Sequence, residues 1–208
     1  MMRKFYKSWH RKSFSKFESA NFDKSKDRYN ILKKNSSSIY PCLELYENDK
    51  CWTTSQEILY KAKKNLFFSE KQLKILSKQL DKNSKVGIFH GDLCFSNIDF
   101  DKDGNVLIYD WEINLEVLKN KHHYLRTTSY CIHPADKKNN QITEMTDKFG
   151  IFALTMISCH SPSWRSALTH NNSLRQRVAN YIDNIEDFSY TKLVDQITKR
   201  IKSPQLIV

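Results

Sequence analysis

Glycine is scarce in this 208-residue chain: Gly87, Gly91, Gly104 and Gly150 are the only four. A phosphate-cradling loop needs several glycines so that backbone amides can close on the ligand. Such a loop is therefore excluded anywhere in the chain, and no glycine at all precedes Gly87. The five cysteines, Cys42, Cys51, Cys94, Cys131 and Cys159, are odd in number and form no C-x-x-C pair. That argues against a disulfide framework and against a zinc site, and it fits a reducing cytoplasm. Long apolar runs are missing too. The most apolar stretch, Phe149 to Ile157, is far shorter than the roughly 20 residues that cross a bilayer, so no membrane span is expected. The start, Met-Met-Arg-Lys, has no apolar segment behind it and does not read as a signal peptide. There is no internal repeat and no low-complexity tract.

What the chain has is apolar material for a core, with 39% hydrophobic and 12% aromatic residues. A disordered chain would be poorer in both. It also has an uneven charge. The first 89 residues hold 20 Lys and Arg against 9 Asp and Glu, whereas residues 90–208 hold 14 of each. All of the +11 excess lies in the N-terminal part. A solvated Lys-rich surface explains this, because acidic residues are interspersed and no run of five basic residues occurs. An anionic partner, such as RNA, a phospholipid headgroup or a phosphorylated substrate, is the alternative.

The pattern of residues predicts a helix over 23–34 capped by Asp23, with strands at Ile39–Tyr46 and Cys51–Thr54. Helices follow at Ser55–Leu66 and from Ser69 through Leu80, the second opening on an N-cap serine. A brief strand, Val86–Phe89, leads into His90-Gly91-Asp92-Leu93. A hairpin comes next: residues 97–100 alternate, Asp101-Lys102-Asp103-Gly104 turns, and Val106–Tyr109 returns. Residues 113–141 read as a long polar segment broken by Pro134. Thr146 or Asp147 caps a helix ending at Cys159, and three helices close the chain at Ser163–Leu168, Ser173–Asn184 and Tyr190–Ile201.

The chemistry concentrates around the hairpin. Asp92 and Asn97 share one tight loop, and the returning strand ends at Asp110-Trp111-Glu112. One carboxylate that orients an acceptor hydroxyl, plus an amide oxygen and a second carboxylate that hold Mg²⁺, is the minimum for phosphoryl transfer from a nucleotide. On this reading Asp92 is the catalytic carboxylate, and Asn97 and Asp110 are the metal ligands. Leu93 anchors the loop in the core. His90 supports the loop rather than carrying a proton, Trp111 packs beside the metal ligand, and Asp147 braces the loop through its backbone amides or serves as a helix cap. Cys94 reads as a small filler, and the adjacent His122 and His123 lack metal-ligand spacing. An unrelated hairpin with a buried His90 and a turn Asp92 is the competing explanation.

HGDLCFSN followed by LIYDWE resembles the protein kinase-like superfamily, and is most similar to its small-molecule branch of aminoglycoside phosphotransferase and choline kinase-like enzymes. Protein kinases share the spacing but carry Arg where this chain has Gly91, and D-F-G where it has Asp110-Trp111-Glu112. RTTSYCIHPAD (126–136) is similar to the end of a kinase activation segment. TDKFGIFAL (146–154) is similar to the helix whose leading Asp braces the catalytic loop. The likeness covers about residues 69–159. It implies an α+β protein kinase-like fold, with a reduced, basic N-terminal lobe at 1–54 lacking the glycine-rich hairpin and a helical C-terminal catalytic lobe at 55–208. It implies ATP and Mg²⁺ as cofactors and a small-molecule or sugar hydroxyl as acceptor, with Lys4 or Lys7 as candidates for the phosphate-binding lysine. The alternatives are a degenerate kinase-like protein that binds a partner or nucleotide without turnover and, with less support, a protein kinase.

Overall fold

The structure is a computed structural model and describes residues 6–15, 43–47, 51–60, 67–100, 103–108, 130–139, 141 and 143–201. The architecture is α+β and rich in helix. Three strands, β1 (Tyr6–Ser15), β2 (Leu43–Glu47) and β3 (Cys51–Tyr60), form an antiparallel sheet with β3 in the centre. Helix α1 (Glu70–Lys85) precedes a two-stranded antiparallel sheet of β4 (Ile98–Phe100) and β5 (Val106–Ile108). Five helices complete the described chain: α2 (Pro134–Asn139), α3 (Glu144–Cys159), α4 (Ser163–His170), α5 (Asn172–Asp183) and α6 (Tyr190–Ile201).

Sequence logic accounts for most of the helical part. Ser69 caps α1 in a full capping box: its hydroxyl accepts the Gln72 amide, and the Gln72 side chain accepts the Ser69 amide. Leu73, Leu76 and Leu80 make the buried stripe. Helix α3 is apolar nearly all round. Phe149, Ile151, Phe152, Ala153, Leu154 and Met156 are wholly buried, so α3 is the central element on which α1, α4, α5 and α6 pack. Asp81 of α1 ties the bundle together from outside the core. Its carboxylate accepts the amides of Tyr190 and Thr191 and the hydroxyls of Ser189 and Thr191, capping α6 from a neighbouring helix.

The β4–β5 hairpin forms in the register the alternation demands, with Ile98 opposite Ile108 and Phe100 opposite Val106. Gly104 in its connection has φ +84°, a left-handed conformation that glycine adopts without a Cβ penalty.

Four expectations need correction. Residues 55–60 are strand, not helix: β3 runs on past residue 54 because β1 pairs with it along its whole length, from Ser15↔Cys51 to Tyr6↔Tyr60. Long antiparallel pairing outweighs a modest helical periodicity. Val86–Phe89 is not a strand, because α1 ends in a turn there. The Val86 and Ile88 amides both bond the Asn83 carbonyl, and Gly87 at φ +71° reverses the chain. Helix α3 starts earlier than Thr146 or Asp147 imply. Thr143 is its N-cap, accepting the Met145 amide, which leaves Thr146 and Asp147 inside the first turn. Pro134 opens a helix rather than breaking one, since proline suits a first helical position. The helix expected at 23–34 and the first part of the polar segment, 113–129, lie outside the described residues.

Candidate active site

The loop after α1 is held by α3. The carboxylate of Asp147, 1% exposed, receives two backbone amides: His90 N at 2.5 Å on Oδ2 and Gly91 N at 2.6 Å on Oδ1. Both bonds are charge-assisted and buried, the strong case for a hydrogen bond. Gly91 has φ +90°, so the turn at this point needs a residue without a Cβ. Asp92 then donates its amide to His90 Nδ1 at 3.1 Å. A ring nitrogen that accepts carries no proton, so this bond fixes the histidine's tautomer and makes the imidazole a fold in the loop. His90 is wholly buried.

Leu93 drives the loop into the core, fully buried, directly over Gly150 of α3. A Cβ at Gly150 would meet Leu93 Cβ at 3.1 Å and the Leu93 carbonyl oxygen at 3.3 Å. Glycine at 150 is thus what allows helix and loop to approach so closely.

Asn97 closes the loop onto Asp92. Its Nδ2 donates to the Asp92 carbonyl at 3.0 Å and to the Asp92 carboxylate Oδ2 at 3.1 Å. The amide orientation follows: Nδ2 faces Asp92, and Oδ1 turns away, accepting only a long bond of 3.3 Å from the Ser96 hydroxyl among its described contacts. Both residues are nearly buried, Asp92 at 8% and Asn97 at 6% exposed. Cys94, between them, is buried with its Sγ 3.0 Å from Ser96 Oγ, the small filler its size suggests.

A second segment, Tyr130–His133, lies alongside. Burial pushes the Cys131 thiol well above its usual range, and the charges of Cys94 and Asp92 add to that. A thiol so held stays protonated and is not a nucleophile. Burial raises Tyr130 in the same way. The buried guanidinium of Arg175 anchors this segment, donating to the Ile132 carbonyl at 2.5 Å and the Leu168 carbonyl at 2.8 Å over the Phe149 ring. Burial lowers its pKa. Asp136 completes the support. Its carboxylate receives the Thr143 amide and the hydroxyls of Thr143 and Thr146, fastening α2 to the first turn of α3 just ahead of Asp147. Sequence reasoning passed over Asp136 and Arg175. The threonine pair at 143 and 146, three residues apart beside a helix start, was the available signal for Asp136.

Of the residues assigned from sequence, the structure brings together His90, Asp92, Asn97 and Asp147. Lys7 lies in β1 opposite Leu59 of β3. Lys4, Asp110 and Trp111 lie outside the described residues, as do Glu112, His122 and His123. Among the described residues no group of three or more His, Cys, Asp or Glu side chains gathers to hold a metal ion, and no helix is long and apolar enough to cross a membrane. No protein-family model matches this chain, and no curated protein matches it significantly.

Proposed function

We propose that this chain is a kinase-like phosphotransferase that moves the γ-phosphoryl group of ATP to a hydroxyl of a small molecule or sugar. The supporting observation is the Asp92–Asn97 pair on a loop fastened to α3. Asn97 Nδ2 fixes the Asp92 carboxylate, and Asp147 fixes the two amides immediately before it. Catalysis of phosphoryl transfer consists almost wholly of positioning and charge stabilisation. A carboxylate immobilised from two sides suits the positioning half of that task.

Asp92 accepts the proton of the acceptor hydroxyl, or orients that hydroxyl toward the phosphorus. Asn97 serves two ends of one amide: its nitrogen restrains Asp92, and its oxygen is left as a hard donor of the kind Mg²⁺ takes. Asn97 and Asp110 are the residues that would hold Mg²⁺, which when bound neutralises the phosphate oxygens. His90, with Nδ1 committed to the Asp92 amide, shapes the loop and carries no proton in the reaction. Gly91 stands where a protein kinase has the arginine that senses a phosphorylated activation loop, which favours a small acceptor over a protein. The free thiols of Cys94, Cys131 and Cys159 suit a reducing cytoplasm.

A second reading is a kinase-like protein that binds nucleotide or a partner without turnover. Residues 1–86 contain no glycine and so supply no phosphate-cradling loop of their own, a feature that would suit it. ADP release from Mg·ATP, measured against sugars, amino alcohols and a generic protein substrate, separates the two. The phosphotransferase releases ADP with at least one acceptor, and Asp92→Asn abolishes that release, a loss of about 10²–10⁴-fold for a residue of this kind, while Mg·ATP still binds. Release no greater than the Asp92→Asn background with every acceptor leaves the binding-only reading in place.

A further inference from the structure

Helix α4 follows α3 after a short turn and is seated on it by two side chains. Trp164 packs edge-on against Phe152, with ring centroids 6.2 Å apart, and Leu168 is wholly buried. Arg165 is one residue on from Trp164, rotated by about 100° around the helix, and is exposed. Its guanidinium lies 5.4 Å from the Phe95 ring and 5.3 Å from the Tyr130 ring. Those two rings belong to the two segments that frame Asp92. Phe95 sits between Asp92 and Asn97 in the candidate catalytic loop, and Tyr130 precedes Cys131, whose thiol feels the charges of both Asp92 and Arg165.

The guanidinium lies beside two aromatic rings. Among the described residues Arg165 makes no ion pair. The sequence explains why: from Lys148 to Ile182 there is no Asp or Glu, so α4 and nearly all of α5 present Arg165 and Arg177 with no opposing charge of their own. An acceptor carrying an ammonium group would meet a cation here and find no carboxylate on these helices. An acceptor carrying a phosphate or carboxylate would meet a guanidinium whose planar donors suit bidentate binding and whose contact with two rings limits its freedom before binding.

We propose that Arg165 is a specificity residue that binds the anionic group of an acid-bearing acceptor, such as a sugar phosphate or sugar acid, placing its hydroxyl toward Asp92. The proposal rests on the phosphotransferase reading for the word acceptor, but the binding itself does not require turnover.

Calorimetry on the full chain therefore tests it, with glucose 6-phosphate, glucuronate and glucose as probes. The protein binds one or both charged probes at least tenfold more tightly than glucose. Preference for glucose 6-phosphate identifies a phosphate as the recognised group, and preference for glucuronate a carboxylate. Arg165→Gln removes the preference, Arg165→Lys keeps part of it, and Arg177→Gln, altering an exposed cation on α5, leaves it intact. Melting temperatures of all three variants report that they fold. Charged probes binding no better than glucose overturn the proposal, as does an equal loss in Arg165→Gln and Arg177→Gln, which marks a diffuse positive surface. If Arg165-dependent binding is found but no ADP is released with any acceptor, the phosphotransferase reading fails and the anion site stands. If ADP is released with glucose alone and Arg165→Gln does not alter binding, the reverse holds.

Discussion

Asp147 Oδ1 accepts the Gly91 amide at 2.6 Å, so one carboxylate in the first turn of α3 sets the backbone of a loop 56 residues away in sequence. The second oxygen does the same for His90. The carboxylate thus fixes the peptide planes on either side of His90 rather than any side chain.

Replacing Asp147 by Ala removes the charged acceptor from two backbone amides. Charge-assisted bonds contribute about 1.5–3 kcal/mol each, and orphaned donors carry the full desolvation penalty. Asp147→Ala is expected to lower unfolding stability by about 3 kcal/mol or more, measured by urea denaturation. Asp147→Asn keeps one acceptor oxygen and is expected to lose less. A loss under about 0.5 kcal/mol, the range of a surface substitution, in Asp147→Ala would show that these bonds are not made.

Gly150→Ala is a sharper probe of the same contact. Alanine is favoured over glycine in a helix interior by about 1 kcal/mol, so propensity alone predicts stabilisation. The new methyl would stand 3.1 Å from Leu93 Cβ and 3.3 Å from its carbonyl oxygen, and a backbone atom cannot swing aside. Overpacking of this kind costs about 1–3 kcal/mol. Net destabilisation is expected, and the displaced Leu93 carries Asp92 with it, so any transfer activity falls as well. A variant more stable than the parent would place loop and helix further apart.

The hairpin and helices α1, α4, α5 and α6 were legible because each carries its own local signal. Gly104 marks the turn, Ile98 and Phe100 alternate with Asp99, and Ser69 with Gln72 announces the start of α1. Residues 55–60 were misread because the decisive partner, β1, is more than forty residues upstream, and no pattern within β3 itself reveals it. The start of α3 was misread for a related reason. Thr143, Thr146 and Asp147 are all good caps, and what assigns them is Asp136, which takes the hydroxyls of both threonines and leaves Asp147 for the loop. In the candidate site, the meeting of Asp92 with Asn97 was legible from their spacing. Arg165 was not, because its relation to Phe95 and Tyr130 depends on how α4 docks against α3.

Alkaline pH tests the packing of the second segment and of α6. Burial raises Cys131 above the ordinary thiol value of 9.0 and, in the same direction, raises Tyr190 above the ordinary phenol value of 10.0. A group whose pKa is raised in the folded state ionises first in the unfolded state. The unfolded chain then holds fewer protons, and stability falls as pH rises. This contribution is complete below about pH 9, where both groups are protonated folded or unfolded, and is lost progressively above it. Melting temperature is expected to fall from about pH 9 toward pH 11, and more shallowly in Tyr190→Phe, which keeps the ring and removes the ionising hydroxyl. The same slope in Tyr190→Phe and parent would exclude Tyr190 as a source.

Asn97→Asp asks whether the amide oxygen of Asn97 faces a metal, without relying on turnover. The substitution is nearly isosteric, but it exchanges the donor 3.1 Å from Asp92 Oδ2 for a second carboxylate oxygen. Two carboxylates at that distance repel, and one tends to take up a proton. In the presence of a chelator, Asn97→Asp is expected to be less stable than the parent by about 1–3 kcal/mol, with part of the deficit recovered on lowering the pH to about 5, as the pair takes up a shared proton. Mg²⁺ offers a second route to recovery. If residue 97 points its oxygen at a cation site, a carboxylate there binds Mg²⁺ more tightly than the amide did, and binding to the folded state raises stability by RT ln(1 + [Mg²⁺]/Kd). Titrating Mg²⁺ from zero to about 10 mM, roughly ten times a millimolar Kd, would then restore about 1.4 kcal/mol to Asn97→Asp. Asn97→Ala, which loses both donor and acceptor, should show no such recovery. K⁺ at equal ionic strength controls for screening, which acts on both variants alike. Recovery with Mg²⁺ but not K⁺, in Asp but not Ala, is the outcome that supports a metal ligand at position 97. Equal recovery in both variants, or none in either, would assign Asn97 to holding Asp92 alone.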